Sequence, residues 1–146
     1  FNPDCPFVKQ AHAQAAQLKG KAAELSKKGV VWLAINSAAP GKQGHGPETN
    51  RAGKKRFGID YPILLDEAGL VGRSYQATNT PHMYVIDAEG VLVYAGALDN
   101  TRGGDLEDAD PHVHHVERAL ADLAASRPVT LAKTEAYGCS VKYAKN

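Results

Sequence analysis

Residues 30–36 read VVWLAIN, and that run constrains the fold more than any other stretch of the chain. Six consecutive apolar residues ahead of Asn36, rich in β-branched and aromatic side chains, are what a strand covered on both faces requires. A helix-forming stretch, KQAHAQAAQLKGKAAELSKKG, precedes the run after Pro6 and reads as a helix ending at Gly29. A Gly/Pro loop, SAAPGKQGHGP, follows it. Helix before and loop after mark one layer of an α/β sandwich.

The alternation continues. ETNRAGKKRFG reads as a short polar helix with a solvated face, YPILLD as a short strand, and DEAGLVGRSYQA as a helical piece running into the turn TNTP. HMYVID and VLVYAGAL are strands joined at Ala88-Glu89-Gly90, a hairpin by its short turn. After the polar segment DNTRGGDLEDADP, HVHHVERALADLAAS reads as a last helix stopped by Pro128, and the tail 128–146 shows no clear period. Trp32 and Tyr84 fall within strand patterns and read as core, and Asn36 and Ser37 lie at a strand end, where open α/β sheets place ligands. The pattern predicts one α/β domain over 1–146, a mixed central sheet flanked by helices, with the tail wrapping back. Phe1 reads as the end of a strand that aims the first helix, so a first central strand is expected ahead of it or from another segment.

Charge and length remove several classes of function. With Lys+Arg 17 against Asp+Glu 16, the chain has no electrostatic footprint for nucleic acid or an anionic membrane. No apolar run approaches the ~20 residues of a bilayer span. Two cysteines in 146 residues make neither a disulfide scaffold nor a four-cysteine zinc site.

Cys5 and Cys139 therefore carry the chemical question. Cys5 sits at the N-cap of the first helix, with Pro6 at the first helical position. A thiolate there is favoured by backbone N–H groups, whereas an inert buried thiol is the alternative. Cys139 is open among three readings: a partner for Cys5, a small packed residue, and a bond to another chain. His112 and His115 in HVHH have the spacing of a shared helix face, but no carboxylate or cysteine is spaced to complete a metal site. The sequence calls for no cofactor.

FNPDCPFVK, VVWLAINS, LLDEAGLVGRSYQATNTPHMYVIDAEGVLVYAGALDN and YGCSVKY together resemble the thioredoxin-like redoxin family, on its peroxiredoxin-related (AhpC/TSA-like) branch. The resemblance implies a thioredoxin-like fold and a thiol-dependent oxidoreductase acting on disulfides or peroxides through Cys5. Cys139 would be the resolving thiol, condensing with a Cys5 sulfenic acid or closing a disulfide. It implies a cis bond at Thr80-Pro81, with the Thr80 backbone as an edge for a substrate to pair with and Pro6 and Pro81 shaping the site. A thioredoxin-like or small-thiol reductant would reset the pair. His82 follows directly, and strand alternation turns it away from Cys5.

The chain departs from the family pattern at two points. Asn2 stands where the first cysteine of Cys-x-x-Cys belongs, its amide being the group left to polarise a thiolate or peroxide oxygen. Pro81 stands where peroxiredoxins carry an arginine. The Cys-x-x-x-Cys of thioredoxin-like copper chaperones is absent too. These departures keep a competing class in play, a non-catalytic redoxin-like binding module. Many relatives of this branch are exported bacterial proteins, so an exported or periplasmic home stands beside a cytoplasmic one.

Overall fold

The computed structural model describes residues 1–13, 18–102 and 111–145. They form two compact units, Phe1–Thr80 with Cys139–Asn146, and Pro81–Gly138.

The first unit contains α1 (Pro6–Ala11), α2 (Lys21–Ser26), β1 (Ala34–Asn36), α3 (Pro47–Phe57), β2 (Ile63–Leu65), α4 (Leu70–Ser74), β3 (Asn79–Thr80) and β6 (Cys139–Ser140). Strand β1 pairs in parallel with β2, with Ala34 opposite Ile63 and Asn36 opposite Leu65. Strand β3 pairs antiparallel with β6. The nitrogen of Phe1 donates to the Ile35 carbonyl at 2.8 Å, which sets the chain beside β1 just ahead of Cys5.

The structure departs from the sequence pattern at two elements. The single helix running to Gly29 is broken: α1 closes at His12, and α2 starts after Gly20 at φ 69°, a left-handed residue that no continuous helix accommodates. The Leu18 N–H bonds to the Ala11 carbonyl at 3.0 Å, turning the chain between the two helices. Residues 14–17 of the expected helix lie outside the described residues. VVWLAIN, in turn, is not a strand covered on both faces, since only 34–36 pair and Val31 and Leu33 are 85% and 46% exposed. The ladder opens with Ala34 N–H on the Pro62 carbonyl, and Pro62 has no N–H to extend it.

Helix α3 is the polar helix of the sequence. Pro47 occupies its first turn, Gly58 at φ 64° stops it, and Asn50 and Gly53 are its buried residues. A Cβ on Gly53 would run into the Pro3 ring, so the two backbones approach because residue 53 has no side chain.

The second unit holds β4 (Met83–Ile86), β5 (Leu92–Gly96) and α5 (His115–Ala124). The expected hairpin forms, with Met83 opposite Gly96 and Val85 opposite Tyr94, and a bulge after Val85. Asp87 Oδ1 accepts the N–H groups of Glu89 (3.1 Å) and Val91 (2.8 Å), and Gly90 supplies φ 83°. Helix α5 buries Val116 and Ala119 and packs on both strands. Among the described residues no helix is long and apolar enough to cross a membrane.

Candidate functional site

The site begins in the turn before α1. Pro3 is fully buried against Gly53. Asn2 is buried as well: its Nδ2 donates to the Gln43 carbonyl at 2.9 Å, and its Oδ1 accepts the Asp4 N–H at 2.9 Å. The Cys5 N–H closes the turn on the Asn2 carbonyl at 3.2 Å. Cys5 then caps α1 with extended backbone, φ −68° and ψ 128°, and Pro6 starts the helix without an N–H to satisfy.

So held, the Cys5 thiol is completely buried and donates to the Thr80 carbonyl at 3.1 Å. Thr80 is the direct partner of Cys139 across the β3/β6 ladder, and its hydroxyl donates to the Cys139 carbonyl at 3.4 Å. The ladder thus sets the two cysteines side by side, both as free thiols, Cys5 buried and Cys139 partly exposed. Burial pushes the Cys5 thiol up. Donors outweigh it: the Cys139 thiol, the Thr80 hydroxyl and the backbone N–H groups of Val8 and Cys139 favour a sulfur anion, and the net shift is down. Cys139 moves the other way, raised by burial, by its role as donor to Cys5 and by the neighbouring negative sulfur, with Lys142 offsetting part of this. One sulfur of the pair is disposed to be the thiolate and the other to hold the proton.

The tail that carries Cys139 is fastened beyond it. Val141 N–H bonds to the Thr78 carbonyl at 3.0 Å, and Ala39 N–H to the Lys142 carbonyl at 2.9 Å. Tyr143 Oη donates to the Ala77 carbonyl at 2.9 Å, and the Arg73 guanidinium lies 4.4 Å from the Tyr143 ring centre while bonding the Ala144 carbonyl at 3.1 Å. Gly72 makes room, because a Cβ there would lie 2.5 Å from both Tyr143 Oη and Ser37 Oγ.

The amide of Asn2 is engaged with Gln43 and Asp4, so its visible work is to hold the turn. Pro81 opens the second unit directly after Thr80. His82 stacks on Tyr84 at 4.6 Å within that unit, and burial lowers its pKa. His112 lies ahead of α5, not on it, so the shared helix face with His115 does not exist. Its Nε2 instead sits 3.3 Å from Oδ2 of the buried Asp99, which also accepts the Tyr137 hydroxyl at 2.6 Å. No group of three or more His, Cys, Asp or Glu is arranged to hold a metal ion among the described residues.

Sequence reasoning missed the polar frame behind the turn. Asn36 Nδ2 donates to the Gly44 carbonyl (2.9 Å) and Asn50 Oδ1 (2.8 Å), while Asn50 Nδ2 reaches the Gly46 carbonyl at 2.7 Å. Asn36 and Ser37 are thereby occupied inside the protein, Ser37 Oγ donating to Asp66 Oδ2 at 2.7 Å. Three asparagines tie down the loop that packs beside the Cys5 turn. The signal was present as a Gly-rich loop flanked by Asn, in which each amide can satisfy a carbonyl the glycines leave bare.

A family model described as Redoxin matches residues 1–113. Cys5 and Thr80 fall inside that match and Cys139 outside it. Among solved structures the chain is similar to an uncharacterized conserved protein from Geobacillus kaustophilus, at 30% identity and a TM-score of 0.82, over 97% of this chain and 73% of that one. It is similar also to a hypothetical protein from Sinorhizobium meliloti 1021, at 27% identity and a TM-score of 0.80, over 100% of this chain and 78% of that one. Comparison with curated proteins gives no match. With its helix-start cysteine, its parallel and antiparallel strand pairs and these likenesses, the chain belongs to the redoxin family and has a thioredoxin-like α/β fold.

Proposed function

We propose that the protein is a thiol-dependent oxidoreductase whose working unit is the Cys5/Cys139 pair, cycling between dithiol and disulfide. One observation carries the reading: the Cys5 thiol bonds to the carbonyl of the residue that faces Cys139 across the β3/β6 ladder. A stabilised thiolate beside a protonated thiol is the arrangement from which a disulfide forms and to which it returns. Cys5 is the thiolate and Cys139 its disulfide partner, taking the place of the missing first cysteine. Its oxidants are disulfides or hydroperoxides, and its reductants are thiols, either a thioredoxin-like protein or a small molecule. Thr80 supports the pair through its carbonyl and hydroxyl, and Asn2 through the turn that presents Cys5.

The test is oxidation of dithiothreitol with excess oxidised glutathione as the terminal disulfide oxidant, followed at catalytic amounts of wild type and of Cys5→Ser. The variant should fall to the rate of uncatalysed exchange. Undiminished turnover in Cys5→Ser would sink the enzymatic reading and leave a redoxin-like binding module.

A further inference from the structure

Burial ranks the two sulfurs of the pair. Cys5 is 0% exposed, whereas Cys139 is partly open to solvent and is followed by the exposed Ser140. The approach to Cys5 along β3 is also taken. Thr80 was expected to offer its backbone as an open edge, yet β6 of the same chain already pairs with it, Asn79 opposite Ser140 and Thr80 opposite Cys139. The tail occupies in cis the place of an extended peptide, and the contacts of Lys142, Tyr143 and Ala144 hold it there. A polypeptide meeting this surface finds the sulfur of Cys139, with Cys5 behind it.

We propose that thiol–disulfide exchange enters and leaves at Cys139, and that Cys5 is an internal partner that never carries the substrate. This rests on the Cys5/Cys139 pair being redox-active, and it gives that pair a substrate class: external dithiols, which the disulfide oxidises. A thiolate of the dithiol attacks Cys139 Sγ. The Cys5–Cys139 bond breaks, its electron pair leaves with Cys5 as thiolate, and the incoming sulfur is bonded to Cys139. The second thiolate of the dithiol then attacks the substrate sulfur of this mixed disulfide. Cys139 departs with the electron pair and takes up a proton. Two electrons pass to the pair, and the two substrate protons go one to Cys139 and one to solvent. A sulfur that is stabilised as an anion leaves faster and favours the reduced form of the pair, so the groups around Cys5 bias exchange in this direction. The family match stops before Cys139, so this port belongs to the tail of this chain.

The test uses the oxidised wild-type protein and excess glutathione as the probe thiol, with an acid quench at early times and mapping of the adduct by peptide mass. At least about tenfold more glutathione is expected on Cys139 than on Cys5, because access and leaving group both favour it. A predominant adduct on Cys5 overturns the assignment while leaving the redox pair intact. Cys5→Ser, charged with glutathione at Cys139, should keep its adduct, whereas wild type expels it as the bridge closes. Equal persistence in both removes Cys5 as the internal partner. A wild-type chain that never forms the bridge overturns the pair itself, and this inference with it.

Discussion

Thr80 and Cys139, 59 positions apart in the chain, are direct partners across a ladder two residues long. That register places one cysteine beside the other. Shifting it by one residue would turn Cys139 to the opposite face of β6. The site therefore depends on how firmly the tail is held, and on which form of each sulfur its neighbours favour.

The titration of the reduced protein should report that division. The folded pKa of Cys5 is depressed. Below it the thiol is protonated in folded and unfolded chains alike, and it adds nothing. Between it and the ordinary cysteine value the unfolded chain holds a proton the folded chain has lost, so stability rises with pH. Cys139 has a raised pKa, and its contribution is present below the ordinary value and lost as pH climbs towards its folded pKa. Stability of the dithiol form should peak near the ordinary cysteine pKa. Cys139→Ala removes a donor to the Cys5 anion and should move its thiolate absorbance titration to higher pH. An unmoved titration would show that Cys139 does not donate to Cys5.

Tyr143→Ala tests the fastening of the tail. It removes the hydrogen bond to the Ala77 carbonyl and the stacking with Arg73. Together these should weaken docking by about 1–3 kcal/mol. Amide exchange at Val141, whose N–H is bonded to Thr78, should quicken accordingly, and Cys5 should become open to alkylation. Unchanged exchange at Val141 would mean that the ladder holds without Tyr143.

Gly44 and Gly41 make a matched pair for the loop beside the Cys5 turn. Both have positive φ, 81° and 75°. A Cβ at 41 meets open space, while one at 44 meets the Asn2 side chain. Gly41→Ala should cost about 1–2 kcal/mol for the backbone conformation alone. Gly44→Ala should cost more, because Asn2 must give up its place as well. Denaturant unfolding separates the two, and equal losses would show that Asn2 moves aside freely.

The parts of this arrangement legible in the sequence were those written locally. The Asp87–Gly90 turn between two alternating strands, and Pro6 at the mouth of α1 after Cys5, each follow from neighbouring residues. The break at Gly20 was not legible, because Ala, Gln and Lys on either side outweigh one glycine in any propensity reading, whereas the structure sets Gly20 at a left-handed φ. Val31 and Leu33 read as buried because hydrophobicity alone cannot report that Pro62 ends the ladder below them. The meeting of Cys5 with Cys139 was open in the sequence, and a register set by two residues of an aperiodic tail decides it. Asn36 and Ser37 pointed to a ligand when their side chains are engaged by Asn50, Gly44 and Asp66.

The most direct measurement is the intact mass of the wild-type protein after equilibration across glutathione redox buffers and alkylation of the remaining thiols. The Cys5/Cys139 pair predicts that both thiols disappear together over one transition, with the loss of two hydrogens and a single intramolecular bridge between them. Thiols that stay free at every poise, or a glutathione adduct on Cys139 that persists while Cys5 remains a thiol, would contradict it.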